Sequence, residues 1–282
     1  MENAQRPTMR SRKLGQRLRA IREERGLTLQ KAARLLNRTP SSLSKLETGK
    51  RGIRRPALEH MLDRYEISDL DERQALYDLA SHAAEKGWWR RYEGRLAPSA
   101  LDYIALEAEA ISLKSQELHL VPGLMQIEEY AREVIASASA LGGEPDIDGL
   151  VEVRMRRQQV LFQPQPPHLS VVVHEAVIRQ QFGGRQVTQA QLRRIIELAE
   201  LPNVSFQVLP FAAGTHPGLN GSFTTLTTND LSVVLVESLT TGWYLEDPFE
   251  IGQYEMVFDQ QMAKALPPSD SRALIEQLLS ES

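Results

Sequence analysis

The 282-residue sequence contains no cysteine, which excludes disulfides and thiolate metal sites and fits a reducing compartment. It also lacks long hydrophobic runs. The longest apolar stretches, such as 171–173 and 233–236, are no longer than a strand and fall far short of the roughly 20 residues of a membrane helix. The N-terminus has no apolar signal-peptide core. We therefore expect a cytoplasmic protein with no membrane partner.

Motifs of metal and catalytic chemistry are missing as well. None of the six histidines has a second histidine at metal-ligand spacing, and His174-Glu175 is not followed by the second histidine of H-E-x-x-H. Ser222 does not stand in a G-x-S-x-G turn. No glycine pattern of a phosphate or dinucleotide site follows a predicted strand. We therefore expect no metal, no cofactor and no catalytic residue, and an enzyme is the less favoured class.

The distribution of charge is uneven along the chain. Residues 1–66 contain 17 Lys and Arg against 7 Asp and Glu, a net charge of +10, whereas the other residues contain 16 against 30, a net charge of −14. This pattern favours a polyanionic partner for the N-terminal part only. The alternative is a basic face that simply contacts water.

Periodicity predicts two kinds of structure. Apolar residues at helical spacing predict five helices in the first 86 residues, at about 13–24, 28–36, 39–48, from Pro56, and 71–86. Residues 87–98 look like a hinge, and a long helix is predicted over 99–119. Strands are predicted in 169–178, 203–211 and 221–246, the last region as an antiparallel meander. Helices are predicted at 126–138, 188–200, 249–265 and 269–279. The predicted fold is an all-α N-terminal domain (1–86), followed by a helical connector and an α+β domain with a mainly antiparallel sheet (87–282).

The third predicted helix has two distinct faces. At 100° per residue, Leu43 and Leu46 point to one side, and the other side is small, polar and partly cationic. That polar side consists of Ser41, Ser44, Lys45 and Thr48. Such a surface can enter the major groove of DNA, where side chains must approach base edges closely. The alternative is a helical bundle whose polar helix faces water.

Cations surround this helix in the sequence. Four follow it closely and suit contacts with the phosphate backbone: Lys50, Arg51, Arg54 and Arg55. Four others precede the first predicted helix and form a predicted basic arm along the duplex: Arg6, Arg10, Arg12 and Lys13.

Residues 14–62 resemble the Xre, or lambda-repressor-like, helix–turn–helix family. The matching positions are Leu18-Arg19, Gly26-Leu27-Thr28, Ala33, Leu43-Ser44, Glu47, Gly49 and Pro56. The resemblance implies a structural ion pair between Arg22 and Glu47. It also implies base contacts by Pro40, Ser41, Ser44 and Lys45, and a phosphate contact at Thr28 and Leu29. Thr48 is predicted as a further phosphate contact beside the four following cations. Because leucine has no side-chain donor, Leu29 would contact phosphate through its backbone amide.

Residues 118–135, 154–161, 171–184, 201–226 and 233–238 resemble a second family. It is the C-terminal domain attached to Xre-type domains in regulators of sporulation and antibiotic production in filamentous soil bacteria. Met125 and Ile127 depart from its usual residues. The domain has no assigned activity. The resemblance implies control by a very small companion protein encoded nearby, in the style of a toxin–antitoxin pair.

Together these observations predict a dimeric, sequence-specific, nucleoid-associated transcription regulator that binds a double-stranded DNA operator as a homodimer. Its C-terminal domain would dimerise and receive a signal from the companion protein or another source. The alternative is a body that senses a small molecule or resembles an enzyme. The candidate pocket for that alternative consists of His174, Glu175, Trp243 and Tyr244, unless these are ordinary sheet residues.

Overall fold

The computed structural model describes residues 7–82, 87–139, 146–238 and 242–281. The chain divides into two compact units, Met1–Asp102 and Tyr103–Ser282. The sequence-predicted boundary after residue 86 borders residues 83–86, which lie outside the described part.

The N-terminal unit is helical up to residue 82, which confirms the predicted all-α domain of five helices. These helices are α1 (Met9–Glu24), α2 (Leu29–Leu35), α3 (Pro40–Glu47), α4 (Arg55–Arg64) and α5 (Leu70–His82). A threonine caps each of the first three helices, because the hydroxyls of Thr8, Thr28 and Thr39 accept backbone N–H groups of the first turn. Gly49 follows α3 with φ +69°, as expected for a glycine that ends a helix.

The start of α1 differs from the prediction. Because Thr8 caps the helix, α1 begins at Met9, and Arg10, Arg12 and Lys13 lie within its first two turns. Arg10 is buried, with 4% of its surface exposed. The predicted basic arm is therefore wrong for these three residues, and Arg6 lies outside the described residues.

The core of this unit joins the faces of all five helices. Its buried members are Leu14, Leu18, Ile21, Ala32, Ala33, Leu36, Leu43, Leu46, Leu58, Met61, Leu62, Tyr65, Ile67, Leu76 and Leu79. The backbones of α1 and α3 come very close at Gly15, where a Cβ would lie 2.5 Å from the Leu46 carbonyl oxygen. Only glycine allows this approach, which fixes the position of α3 on α1.

The C-terminal unit contains a six-stranded sheet in the order β3-β2-β1-β4-β5-β6. The strands are β1 (Ser112–Glu117), β2 (His168–His174), β3 (Val204–Leu209), β4 (Phe223–Thr227), β5 (Ser232–Glu237) and β6 (Gly242–Leu245). β1 pairs in parallel with β2, and β2 with β3, whereas the β1–β4, β4–β5 and β5–β6 pairs are antiparallel. The predicted α+β class and the meander over 221–246 are confirmed, with the qualification that the sheet is mixed.

Helices accompany the sheet. They are α6 (Pro98–Ala108), which spans the boundary between the units, α7 (Glu128–Ser139), α8 (Ile147–Arg157), α9 (Glu175–Arg179), α10 (Gly184–Ala199), α11 (Pro248–Lys264) and α12 (Pro268–Glu281). Short 3-10 helices occupy Trp88–Tyr92, Gly123–Met125, Gln158–Phe162, Phe211–Ala213 and Pro217–Asn220. Within the described ranges, every helix is too short or too polar to cross a membrane.

The predicted long helix over 99–119 is wrong. The helix ends at Ala108, and residues 112–117 form β1, the strand at which the parallel and antiparallel halves of the sheet meet. The sequence SLKSQE is too polar to predict a central strand. Its conformation depends on pairing with β2 and β4, which lie more than 50 residues away in the chain.

One face of the sheet packs against α11. A buried cluster joins Val172, Leu209, Phe223 and Val234 of the sheet region to Phe258 of the helix. Side chains of neighbouring strand residues therefore point to the opposite face, among them Ser115 and Glu117 at the end of β1.

Candidate nucleic-acid interface

The outer surface of α3 carries the side chains predicted to read bases. Pro40, Ser41 and Lys45 are exposed, and Ser44 is partly buried. Leu43 and Leu46 on the opposite side are buried, with 0% and 3% of their surface exposed. The helical spacing thus separates a small polar surface from the apolar anchor beneath it.

A buried ion pair holds the C-terminal end of α3. The Arg22 guanidinium donates from Nε and from a terminal nitrogen to the two Glu47 carboxylate oxygens, at 2.7 and 2.9 Å. Its other terminal nitrogen donates to the Leu27 carbonyl at 2.8 Å. Hydrogen bonds from Arg22 to Glu47 outweigh burial and raise the pKa of Arg22. One guanidinium therefore links α1, the α1–α2 turn and α3.

The caps of α2 and α3 leave groups that can donate to phosphate. Thr28 Oγ1 accepts the Lys31 amide at 3.3 Å, so its hydroxyl proton can still be donated outwards. Leu29 packs against the core, and its contribution would come from its backbone amide in the first turn. Thr39, which is exposed, accepts the Ser42 amide at 3.1 Å in the same way. Thr39 is thus a further candidate for a phosphate contact, which sequence reasoning missed although the logic applied to Thr28 also selects it.

The cations after α3 are all exposed, but their side chains differ in orientation. Lys50 and Arg54 are exposed in the loop before α4. Arg51 donates to Ser42 Oγ at 3.2 Å and so leans back along α3. The Arg55 guanidinium lies 4.6 Å from the centre of the Tyr77 ring. Stacking leaves the guanidinium donors at its edge available, so both arginines keep donors for an anion.

Thr48 is exposed but its hydroxyl proton has a partner. Oγ1 donates to the Ser44 carbonyl at 2.8 Å, within α3 itself. In this conformation Thr48 has no proton to donate to a phosphate and can contact DNA only as an acceptor or through its methyl group.

The residues of the predicted C-terminal pocket do not come together. His174 ends β2 and Glu175 begins α9, whereas Trp243 and Tyr244 lie in β6, and three strands separate β2 from β6. At about 4.8 Å per strand, the two pairs are too far apart to line one small pocket. Trp243 and Tyr244 also point to opposite faces of the sheet. The pocket prediction failed because strand order depends on long-range pairing.

His174 and Glu175 have structural partners. His174 Nδ1 accepts the Ala176 amide at 3.3 Å and its ring contacts Phe211 edge-on. Glu175 accepts the Phe211 amide at 2.8 Å and the Arg179 guanidinium at 2.7 Å. Burial opposes the charge of Glu175, but these hydrogen bonds outweigh it and lower its pKa. Among the residues that the structure describes, no group of three or more His, Asp or Glu side chains could hold a metal ion.

Comparison with known proteins gives two family matches. Residues 13–76 match the model of a helix-turn-helix domain, and residues 100–277 match that of a domain of unknown function, DUF5753. No curated protein and no solved structure matches the chain. The first match covers α1 from Lys13 onwards, α2, α3, α4 and half of α5, and supports a regulator that binds DNA through its N-terminal unit. Since the second match covers more than half of the chain, the protein belongs to the DUF5753 family, here joined to a helix-turn-helix domain.

Proposed function

We propose that the protein is a sequence-specific, dimeric transcription regulator of the Xre type that inserts α3 into the major groove. The observation that carries this proposal is the exposed polar surface of α3, anchored from behind by the Arg22–Glu47 ion pair and followed by exposed cations. A recognition helix presents outward polar side chains that can reach base edges, and the rest of its domain holds it in place.

Different residues would carry specificity and affinity. Lys45 is the strongest reader, because its ammonium group can donate to O6 and N7 of guanine, whereas Ser41 and Ser44 discriminate bases weakly. Lys50 and Arg54 would neutralise phosphates, which contributes affinity without sequence information.

The proposed active form is a homodimer. One α3 helix reads only a few base pairs, and a two-fold dimer places two helices on half-sites about 34–36 Å apart. The C-terminal unit would supply the dimer contact and receive a signal. The resemblance of the C-terminal unit to developmental regulators favours a small companion protein as the source of this signal. The pair would act like a toxin and its antitoxin, and the regulated genes would belong to bacterial development. We further propose that the protein acts by binding and not by catalysis.

Operator binding can be tested with genomic fragments. Fragments retained by the full chain would be sequenced, and affinity for the enriched site and a shuffled site measured by fluorescence anisotropy over a range of salt concentrations. The variants are Lys45→Ala and Arg51→Ala. Arg185→Ala is the matched control, because it removes one exposed positive charge from the C-terminal unit.

The two variants should behave differently. Lys45→Ala should reduce the preference for the enriched site by about 1–3 kcal/mol. Arg51→Ala should weaken both sites alike and lower the salt slope by about one. Arg185→Ala should change neither quantity. Unchanged operator binding in both variants would show that α3 does not read DNA in this way.

The role of the C-terminal unit needs a separate experiment. The mass of the full chain would be measured by sedimentation, alone and with the product of a neighbouring small gene. The proposal expects a dimer whose operator affinity changes when the small protein is added. A monomer that binds the operator as a single copy would contradict the dimer.

A further inference from the structure

Polar side chains from distant parts of the chain meet at one edge of the sheet. Because β5 runs parallel to β1 and β4 runs antiparallel to both, the carboxyl ends of β1 and β5 lie at the same edge as the start of β4. Glu117 ends β1, Glu237 ends β5, and Ser222 immediately precedes β4. The Leu118 amide donates to Ser222 Oγ at 3.0 Å, which ties the ends of β1 and β4 together.

The strand order gives this edge a special position. From β1 the chain proceeds to β2 and β3 on one side, and β4, β5 and β6 extend the sheet on the other side. In open α/β sheets, ligands bind beyond the carboxyl ends of strands at the point where the strand order reverses. The end of β1 is that point here, although β4 is antiparallel.

The C-terminal part of α8 brings two arginines to this region, since the Glu237 charge acts on both of them, and one of the two is paired with a carboxylate. Arg157 donates two hydrogen bonds to the Glu107 carboxylate of α6, at 2.7 and 2.8 Å, and lies 5.0 Å from the centre of the Tyr103 ring. Burial opposes the Arg157 charge, but the charge and hydrogen bonds of Glu107 outweigh it and raise its pKa. Arg157 is thus a neutralised, structural cation.

Arg154 lies one turn earlier and has no hydrogen-bonded carboxylate among the described residues. Within the described part of the chain, its guanidinium makes a single hydrogen bond, to the neutral Gln126 Oε1 at 2.8 Å. Burial, together with the Arg157 charge, lowers the pKa of Arg154 to about 10, so it remains a cation at neutral pH. A guanidinium has five N–H donors, and a partly buried one without a hydrogen-bonded carboxylate is costly. It is therefore suited to an external anion.

The position of Arg154 is well fixed. Its partner Gln126 also donates to the Val121 carbonyl at 2.7 Å. Gln158 donates to the Gln126 carbonyl at 2.6 Å. Because both ends of the Gln126 residue are held, the Arg154 guanidinium is oriented before any ligand arrives, which lowers the entropic cost of binding.

Acidic groups lie on the other side of the same region. Glu117 accepts hydrogen bonds from Ser115, at 3.0 Å, and from Ser222. Burial, with a smaller contribution from the Glu237 charge, raises the pKa of Glu117 to about 7. Glu237 is exposed, and its charge also acts on Arg154, where it favours the charged form. Glu237 is therefore within electrostatic reach of both Arg154 and Glu117, and connects the cation to the end of β1.

We propose that Glu117, Arg154 and Glu237, which we call the β1-edge site, bind a small zwitterion such as an amino acid or a short peptide. The ligand carboxylate pairs with the Arg154 guanidinium, and its amine faces Glu117 and Glu237. A simple anion would meet two acidic groups, and a simple cation would meet Arg154. Only a molecule that carries both charges complements the whole site.

The β1-edge site belongs to the C-terminal unit alone. Only the link from its occupancy to transcription rests on the proposed function. The binding itself would stand even if the protein did not regulate a gene.

Binding can be tested with simple probes on the full chain. Thermal unfolding midpoints would be recorded at constant ionic strength with glycine, β-alanine, γ-aminobutyrate or diglycine, and with acetate and methylammonium as single-charge controls. NMR of arginine Nε–Hε groups would locate the contact in the unmodified protein. The variants are Arg154→Met and Glu237→Gln, with Arg156→Met as the matched control, an exposed arginine two residues further along α8.

At least one zwitterion should raise the unfolding midpoint saturably and shift the Arg154 resonance. Its increase in the midpoint should be larger than the increases caused by acetate and methylammonium added together. Arg154→Met and Glu237→Gln should each weaken this binding at least about tenfold, and Arg156→Met should leave it within about twofold. Equal binding of acetate, no saturable probe, or unchanged binding in Arg154→Met would overturn the site. If Arg154→Met fails to fold, the binding measured with Glu237→Gln decides whether the site exists, because Glu237 is exposed and its replacement should not disturb folding.

Operator affinity of the same variants separates the two proposals. Without a probe, Arg154→Met and Glu237→Gln should bind the operator as the unmodified chain does. If operator binding persists and no zwitterion binds, only the β1-edge site is wrong. If zwitterions bind and no operator can be found, only the proposed function is wrong.

Discussion

Replacing Glu47 with glutamine should destabilise the N-terminal unit by about 3 kcal/mol. Both members of the Arg22–Glu47 pair are buried, each with 7% of its surface exposed. Removing one partner of a buried pair costs about 3–5 kcal/mol, because the other charge is left uncompensated. We expect the lower end of this range, since Arg22 keeps its hydrogen bonds to the Leu27 carbonyl and the Glu23 carboxylate.

The effect can be measured by hydrogen exchange of the full chain. A loss of about 3 kcal/mol corresponds to roughly 100-fold faster exchange of the protected amides of α1 and α3, or a fall of about 12–24 °C in the midpoint of this unit. Amides of β2 and β3 provide an internal control, because they belong to the other unit and should exchange at their original rates.

The double variant Arg22→Met with Glu47→Leu distinguishes pairing from packing. It removes both buried charges, and such replacements are often neutral or stabilising. We therefore expect it to recover most of the stability that Glu47→Gln loses, with a remaining deficit because the Leu27 carbonyl loses its donor. A Glu47→Gln loss below about 1 kcal/mol, or a double variant less stable than the single one, would refute the assignment of this pair as the anchor of α3.

Three further perturbations follow from the structure. Gly15→Ala would place a Cβ 2.5 Å from the Leu46 carbonyl oxygen and should cost about 1–3 kcal/mol in urea unfolding, whereas Gly52→Ala, with nothing within 4 Å of its Cβ, should be nearly neutral. Tyr65→Phe should raise stability by about 1 kcal/mol, because the Tyr65 hydroxyl is buried without a hydrogen-bond partner among the described residues; a loss instead would reveal a hidden partner. Glu117 has a pKa of about 7 in the folded state, against about 4.3 in the unfolded state, so the folded state binds its proton more tightly. Stability should therefore fall as the pH rises from about 4.3 to about 7. Stability curves of Glu117→Gln should lack this decline, and identical curves would contradict it.

The helices of the N-terminal unit were predictable because their ends are set by local signals. Thr28, Thr39 and Gly49 act within one turn of themselves, and the buried face of α3 follows from helical spacing alone. The start of α1 was missed because Thr8 stands before a run of basic residues that looked like an arm. In the C-terminal unit, β1 was missed because a polar strand becomes central only through pairing with distant partners.

The candidate DNA interface was likewise predictable only in part. Spacing and resemblance selected the outward residues of α3, but the hydrogen bond from Thr48 to Ser44 and the stacking of Arg55 on Tyr77 depend on side-chain conformation and on where α5 packs. The β1-edge site could not be predicted at all. Its members are up to 120 residues apart, and only the strand order brings them to one edge.

Site-directed DNA cleavage tests the central claim most directly. Because the chain has no cysteine, Ser41→Cys introduces a single thiol on α3, to which an iron chelate that cleaves nearby DNA can be attached. The account predicts cleavage within the major groove of two half-sites whose centres lie about 10–10.5 base pairs, or a multiple of that, apart, and none from the same reagent on Ser81→Cys of α5. Cleavage spread evenly along the operator, or equal cleavage from both positions, would contradict the assignment of α3 as the recognition helix.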